Sequence, residues 1–131
     1  MAYRNGEYFD ERINFYTPSE KKSLIEEKKK VLEEYFRDIA ESKKKITEDL
    51  INSIAFMSVE LKNLEEVINL NGVVTSYSNG GGQRGLQESP VSKSYNALKK
   101  TYLADMKLLL AILEEDGKSA VDEEFLNFIK S

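Results

Sequence analysis

The stretch Asn71-Gly72-Val73-Val74-Thr75-Ser76-Tyr77-Ser78-Asn79-Gly80-Gly81-Gly82-Gln83-Arg84-Gly85-Leu86-Gln87-Glu88-Ser89-Pro90 holds five of the seven glycines and one of the two prolines in a chain of 131 residues. Its two ends carry opposite helix-boundary signals. Asn71-Gly72 follows Leu70, the last apolar residue of a periodic run, and either residue can take the left-handed backbone that closes a helix. Ser89-Pro90 opens one: the serine hydroxyl can accept from an orphan amide, and proline at the first helical position gives up an N–H that had no partner. The piece between is too β-branched for helix and too rich in glycine for a packed core. Val73 to Tyr77 and roughly Arg84 to Glu88 therefore read as two extended arms around a mobile glycine tip, a loose β-hairpin between two helices.

Upstream, Leu50, Ile54, Met57, Leu61, Leu64 and Ile68 recur at steps of four and three, a coiled-coil-like seam that predicts a helix over about 47–70. Ile51, Ala55 and Val67 widen the seam, so this helix should pack on more than one neighbour. Thr17-Pro18-Ser19-Glu20 is a capping box with proline at the first helical position, and it predicts a first helix over about 18–45. Its apolar stripe is Leu24, Ile25, Val31, Leu32, Tyr35, Phe36, Ile39 and Ala40. A short break near Ile46-Thr47 would fold the two helices into an antiparallel hairpin.

Downstream, a third helix is expected over about 90–116, stopped by Gly117. Tyr95, Leu98, Tyr102, Met106, Leu109 and Leu113 form its inner stripe. Leu103, Leu108, Leu110, Ala111 and Ile112 make its last turns apolar almost all round, and such a helix must be surrounded. Leu103, Leu108, Leu110 and Ile112 are thus the candidate subunit interface. Residues 1–16 contain five aromatics without a clear period and read as an N-terminal arm. Residues 117–131 form a short acidic amphipathic tail, in which Phe125, Leu126, Phe128 and Ile129 are candidates for docking on a partner.

The fold class that results is mainly α: a long helical hairpin plus a third helix, with the glycine-bearing excursion between helices two and three. At this length the chain is one domain that gains from oligomerisation if its helices are few and long. Cysteine and histidine are both absent. Their absence removes thiol chemistry, disulfides, imidazole catalysis and nearly every transition-metal site, so an enzyme is not expected. The polar start and the shortness of the longest apolar run, Leu108 to Leu113, argue against a membrane span and for a cytosolic protein.

Net charge is −4, unevenly spread. Residues 18–45 carry nine of the nineteen basic residues and sum to +2, residues 84–107 sum to +3, and 46–71 and 114–131 sum to −4 each. Lys28, Lys29, Lys30, Arg37, Lys43, Lys44, Lys45 and Arg84 are the candidate phosphate contacts. A solvated, ion-paired helix surface accounts for most of the same pattern, and Lys43 to Lys45 would also suit the C-terminal end of a helix dipole.

Gly80-Gly81-Gly82-Gln83-Arg84-Gly85 matches G-x-G-x-x-G but lacks the surrounding βαβ unit and the helix opening directly on it, so it is not a dinucleotide site. Gly117-Lys118-Ser119 lacks the upstream glycine of a phosphate loop. Glu114-Glu115-Asp116 and Asp122-Glu123-Glu124 lack the alternating oxygens and glycine of a calcium loop. No cofactor and no metal are expected.

The ordered pattern Asn71-Gly72-Val73-Val74, Asn79-Gly80-Gly81-Gly82, Glu88-Ser89-Pro90 and Tyr95-Asn96-Ala97-Leu98 through Leu108-Leu109-Leu110 resembles the small terminase subunit of tailed bacteriophages, over roughly residues 47–113. Where that family usually continues into a Leu-Gly-Leu-Thr-Pro type turn, this chain has Leu113-Glu114-Glu115-Asp116-Gly117. The resemblance implies a ring-shaped homo-oligomer in the host cytoplasm. It would recognise double-stranded viral DNA where packaging starts and stimulate the large terminase subunit, which holds the ATPase and nuclease. The alternative is a helical-hairpin phage regulatory or interaction protein whose seam binds a protein, with no role for DNA.

Overall fold

The computed structural model describes residues 2–78 and 80–116. In order these form β1 (Ala2–Arg4), β2 (Glu7–Phe9), α1 (Pro18–Tyr35), a single 3-10 turn (Glu41–Lys43), α2 (Lys44–Asn71), β3 (Val74–Ser78), β4 (Arg84–Glu88) and α3 (Pro90–Glu115). The protein is mainly helical, with two separate two-stranded sheets.

Helix α2 is the central element and packs on both α1 and α3. One core joins all three helices: Leu32 and Phe36, then Ile39 from the following turn, Ile51, Ile54, Met57 and Leu61 from α2, and Tyr102, Met106, Leu109 and Leu113 from α3. Leu32, Ile54 and Leu109, one from each helix, are fully buried. Of the expected seam, Ile54, Met57, Leu61 and Leu64 are buried, and Leu50 and Ile68 at its ends are half-buried. Ile51, Ala55, Val59 and Val67 are buried beside it, which is how one helix serves two neighbours.

Local chemistry sets three of the helix ends. The Thr17 hydroxyl accepts from the Glu20 N–H while the Glu20 carboxylate accepts from the Thr17 N–H at 2.9 Å, so the capping box is closed. Gly72 ends α2 at φ 82° and ψ 173°, a backbone essentially restricted to glycine, and its N–H bonds back to the Ile68 carbonyl. The Ser89 hydroxyl accepts from the Ser92 N–H at 3.0 Å, with Pro90 at the first helical position.

The first helix is shorter than its periodicity predicts. It ends at Tyr35, not near residue 45, and the reversal occupies residues 36–43 in place of Ile46-Thr47. Phe36 and Ile39 continue the helical apolar period, but as turn residues they plug the end of the core, each 4% exposed. Periodicity alone cannot separate these two ways of burying the same side chains. Thr47 consequently lies inside α2, buried, and its hydroxyl has no hydrogen-bond partner among the described residues.

Residues 1–16 are not a simple arm. Asn5 and Gly6, at φ 51° and 79°, make the two-residue turn of an antiparallel hairpin that pairs Arg4 with Glu7 and Ala2 with Phe9. The Arg4 guanidinium lies over the rings of Phe9 and Phe15, donates to the Phe15 carbonyl, and pairs with Glu20 at 2.8 Å. Asn63 of α2, fully buried, then clamps the connection to α1. Its Oδ1 accepts from the N–H groups of Phe15 and Tyr16 at 2.7 and 3.1 Å, and its Nδ2 donates to the Ile13 carbonyl at 3.0 Å. Lys21 adds a contact to Asn14 and a 3.2 Å pair with Glu60.

Strands β3 and β4 pair antiparallel from Val74 with Glu88 to Ser78 with Arg84. Tyr77 lies opposite Gly85, and a Cβ there would stand 3.0 Å from its ring. The tyrosine covers the glycine because no side chain competes for that space.

Candidate nucleic-acid and assembly surfaces

The basic residues singled out in the first two helices are mostly engaged with carboxylates. Lys43 sits in the 3-10 turn and reaches Glu115 and Asp116 at the end of α3, at 3.7 and 3.9 Å. Lys44 pairs with Glu41 at 3.1 Å and Lys45 with Asp49 at 3.1 Å. Arg37 pairs with Glu34 at 2.8 Å, and Lys29 lies 4.0 Å from Glu26. Lys28 is half-buried, and burial pushes its ammonium pKa down. Lys30 is exposed and has no ion pair among the described residues.

The macrodipole argument for Lys43 to Lys45 is therefore reversed. They open α2 instead of ending α1, at the end where cations are disfavoured, and each takes a carboxylate. Such exposed pairs are individually weak, about 0–1 kcal/mol. What matters is the local field. Residues 33–49 carry six carboxylates (Glu33, Glu34, Asp38, Glu41, Glu48, Asp49) against four cations (Arg37, Lys43, Lys44, Lys45), so this end of the hairpin is net acidic.

Helix α3 has the opposite balance. Lys93, Lys100 and Lys107 are exposed, and no carboxylate pairs with them among the described residues. Steps of seven residues are close to two helical turns, so the three lysines leave the helix in one row, about 10.5 Å apart along its axis. Ala97, Ala104 and Ala111, also exposed, run alongside, and the next position at the same spacing is the exposed Glu114, which ends the row. Asp105, the one acid between residues 90 and 113, is turned toward α2 and accepts from the Ser53 hydroxyl at 3.1 Å. Arg84, exposed on β4, has no ion pair among the described residues. Spacing alone makes the lysine row readable in the sequence, but single lysines seven residues apart are a fainter signal than the dense runs at 28–30 and 43–45.

The proposed interface leucines divide. Leu103 and Leu108 are 54% and 56% exposed, whereas Leu110 and Ile112 pack against the core of their own chain. With about 100° of rotation per residue, Leu103 lies on one side of the lysine row and Leu108 on the other. Val74, Tyr77 and Leu86 on the second hairpin are exposed too. Phe125, Leu126, Phe128 and Ile129 lie outside the described residues.

An open cleft of about 800 Å³ lies between residues 10–13, the end of α2 and the start of α3, lined by Asp10, Arg12, Ile68, Gly72, Thr75 and Pro90 among others. Both carboxylate oxygens of Asp10 accept from the Arg12 guanidinium, and its pKa is lowered to about 2 chiefly by that contact. A carboxylate held ionised in this way is poorly suited to proton transfer near neutral pH. Among the described residues no three acidic, histidine or cysteine side chains cluster as a metal site would need, and no helix is long and apolar enough to cross a membrane.

Comparison with family models, with curated proteins and with solved structures finds no match to this chain.

Proposed function

We propose that the protein is a non-enzymatic small terminase subunit that initiates viral DNA packaging. On this reading it assembles with copies of itself into a ring, binds double-stranded viral DNA, and recruits or stimulates the large ATPase and nuclease subunit in the cytoplasm of the bacterial host. The observation that carries the reading is apolar surface left bare on one chain. Val74, Tyr77 and Leu86 on β3–β4 and Leu103 and Leu108 on α3 are between 42% and 72% exposed. Uncovered apolar side chains on two elements consecutive in the chain are what contacts with further copies would bury.

Placing Leu103 and Leu108 on opposite flanks of one helix also favours a heterologous contact, in which one edge meets a different edge of the next copy. Repetition of such contacts gives a ring where the rotation between copies closes, and the ring is the form the resemblance implies. The ordered helix, Gly72 stop, hairpin and Ser89-Pro90 start support the same reading through the resemblance. Its test is native mass together with binding to packaging-start DNA and to a scrambled duplex. A closed oligomer that prefers the former is expected; a monomer indifferent to DNA would overturn it.

Phe56, Ile46 and Val31, 52%, 56% and 43% exposed on the α1–α2 hairpin, favour a second reading, a helical-hairpin protein that docks on a protein partner. That reading calls for a monomer or dimer that ignores DNA at low salt.

A further inference from the structure

We propose that the row Lys93, Lys100 and Lys107 on α3 is the surface that grips the DNA backbone, in place of the lysine clusters of α1 and α2. The inference rests on the packaging reading for its ligand and on three observations for its location.

The first is pairing. Lys43, Lys44, Lys45 and Arg37 each face a carboxylate within 4 Å, so a phosphate arriving there must displace an acid and then sit beside it. No carboxylate pairs with the α3 row among the described residues: Asp105 is tied to Ser53 on the inner side of the helix, and Glu88 at its start is held by Ser92 and Asn96. The second is form. Three lysines in line on a rigid helix, with small alanines alongside, can approach a duplex without steric obstruction, and their alignment is already set by the core that Tyr102, Met106, Leu109 and Leu113 make on the opposite face. The third is position. The row lies between Leu103 and Leu108, so an assembly that covers both leucines leaves the lysines facing open space. A ring would then repeat the row once per subunit, multiplying weak contacts into a continuous basic band.

The acidic end of α3 bounds this field: the exposed Glu114 follows Lys107 at the same spacing and closes the basic band there, while Glu115 and Asp116 are drawn toward Lys43. Lys43 thus has an electrostatic role of its own: it offsets part of the negative charge at the end of the helix that carries the row.

The test uses the full chain and a fluorescently labelled duplex, with affinity measured across a range of potassium chloride. Three variants are compared with the parent protein: Lys93→Gln/Lys100→Gln/Lys107→Gln, the same positions changed to Arg, and Lys30→Gln/Lys44→Gln/Lys45→Gln, which removes equal charge elsewhere. Circular dichroism and native mass establish that each is folded and assembled. The first variant should lose about tenfold or more in affinity and flatten the log–log salt dependence by about 0.9 for each phosphate that is no longer neutralised. The arginine variant should bind like the parent, and the third should stay within about twofold of it. Parent-like binding by the first variant, or equal losses in the first and third, would overturn the placement while leaving the packaging reading standing. A parent protein that ignores duplex even at low salt would overturn both.

Discussion

The two β-hairpins of this chain are built alike and fastened very differently. In the first, Arg4, Glu7 and the clamp residue Asn63 tie strands and connection to the helices. Glu7 accepts from the Ser19 N–H at 3.1 Å, Arg4 pairs with Glu20, and Asn63 holds residues 13–16. The second is fastened to the helices at its base. Its ties are the Ser89 N–H bonded to the Val73 carbonyl, and the Glu88 carboxylate accepting from Ser92 and Asn96. Phe9 of the first hairpin is buried at 7% exposure, whereas Leu86 of the second stands at 72%. The first hairpin completes the fold of its own chain; the second leaves Val74, Tyr77 and Leu86 exposed.

Mutations can break this contrast in order of expected size. Asn63→Ala should cost the most, about 2–4 kcal/mol in urea unfolding, because it removes a fully buried side chain and leaves the part-buried N–H groups of Phe15 and Tyr16 without their acceptor. Amide exchange over 13–16 should rise with it. Gly72→Ala should cost about 1–3 kcal/mol, since φ 82° with ψ 173° is strained for any side chain, and the damage should show in the exit angle of the second hairpin. Thr17→Ala should cost about 1 kcal/mol by opening the cap that starts α1 immediately after the clamped connection. Leu86→Ser sharpens the comparison from the other side. It should leave unfolding of the isolated chain within about 0.5 kcal/mol of the parent, yet lower the native mass, because the leucine contributes to assembly and not to the fold. If it destabilised the single chain as Asn63→Ala does, the two hairpins would not differ as described.

How much of this can be read from residues alone depends on the reach of each signal. Thr17, Gly72 and Ser89 act on amides and carbonyls within a few residues, so the ends they set are legible. The seam of α2 is legible because the same period repeats from Leu50 to Ile68. The end of α1 is not, since Phe36 and Ile39 keep the helical period while serving as turn residues. The first hairpin stays hidden although Asn5-Gly6 is a strong turn signal, because strands of three residues leave almost no alternation to detect. Asn63 gives only a weak hint, one amide beside the apolar seam positions Leu61 and Leu64, and its partners lie nearly fifty residues away. The same limit governs the basic residues: Lys43 meets Glu115 and Asp116, a pairing that only the tertiary fold creates.

Assembly is the claim on which the rest depends, and the native mass of the purified full chain, across protein concentration and salt, tests it most directly. The account predicts one closed oligomer that persists as salt rises, because apolar contacts through Leu86, Leu103 and Leu108 hold it together. A single-chain mass at every concentration would contradict it, leave those side chains without a purpose, and move the function to the α1–α2 hairpin.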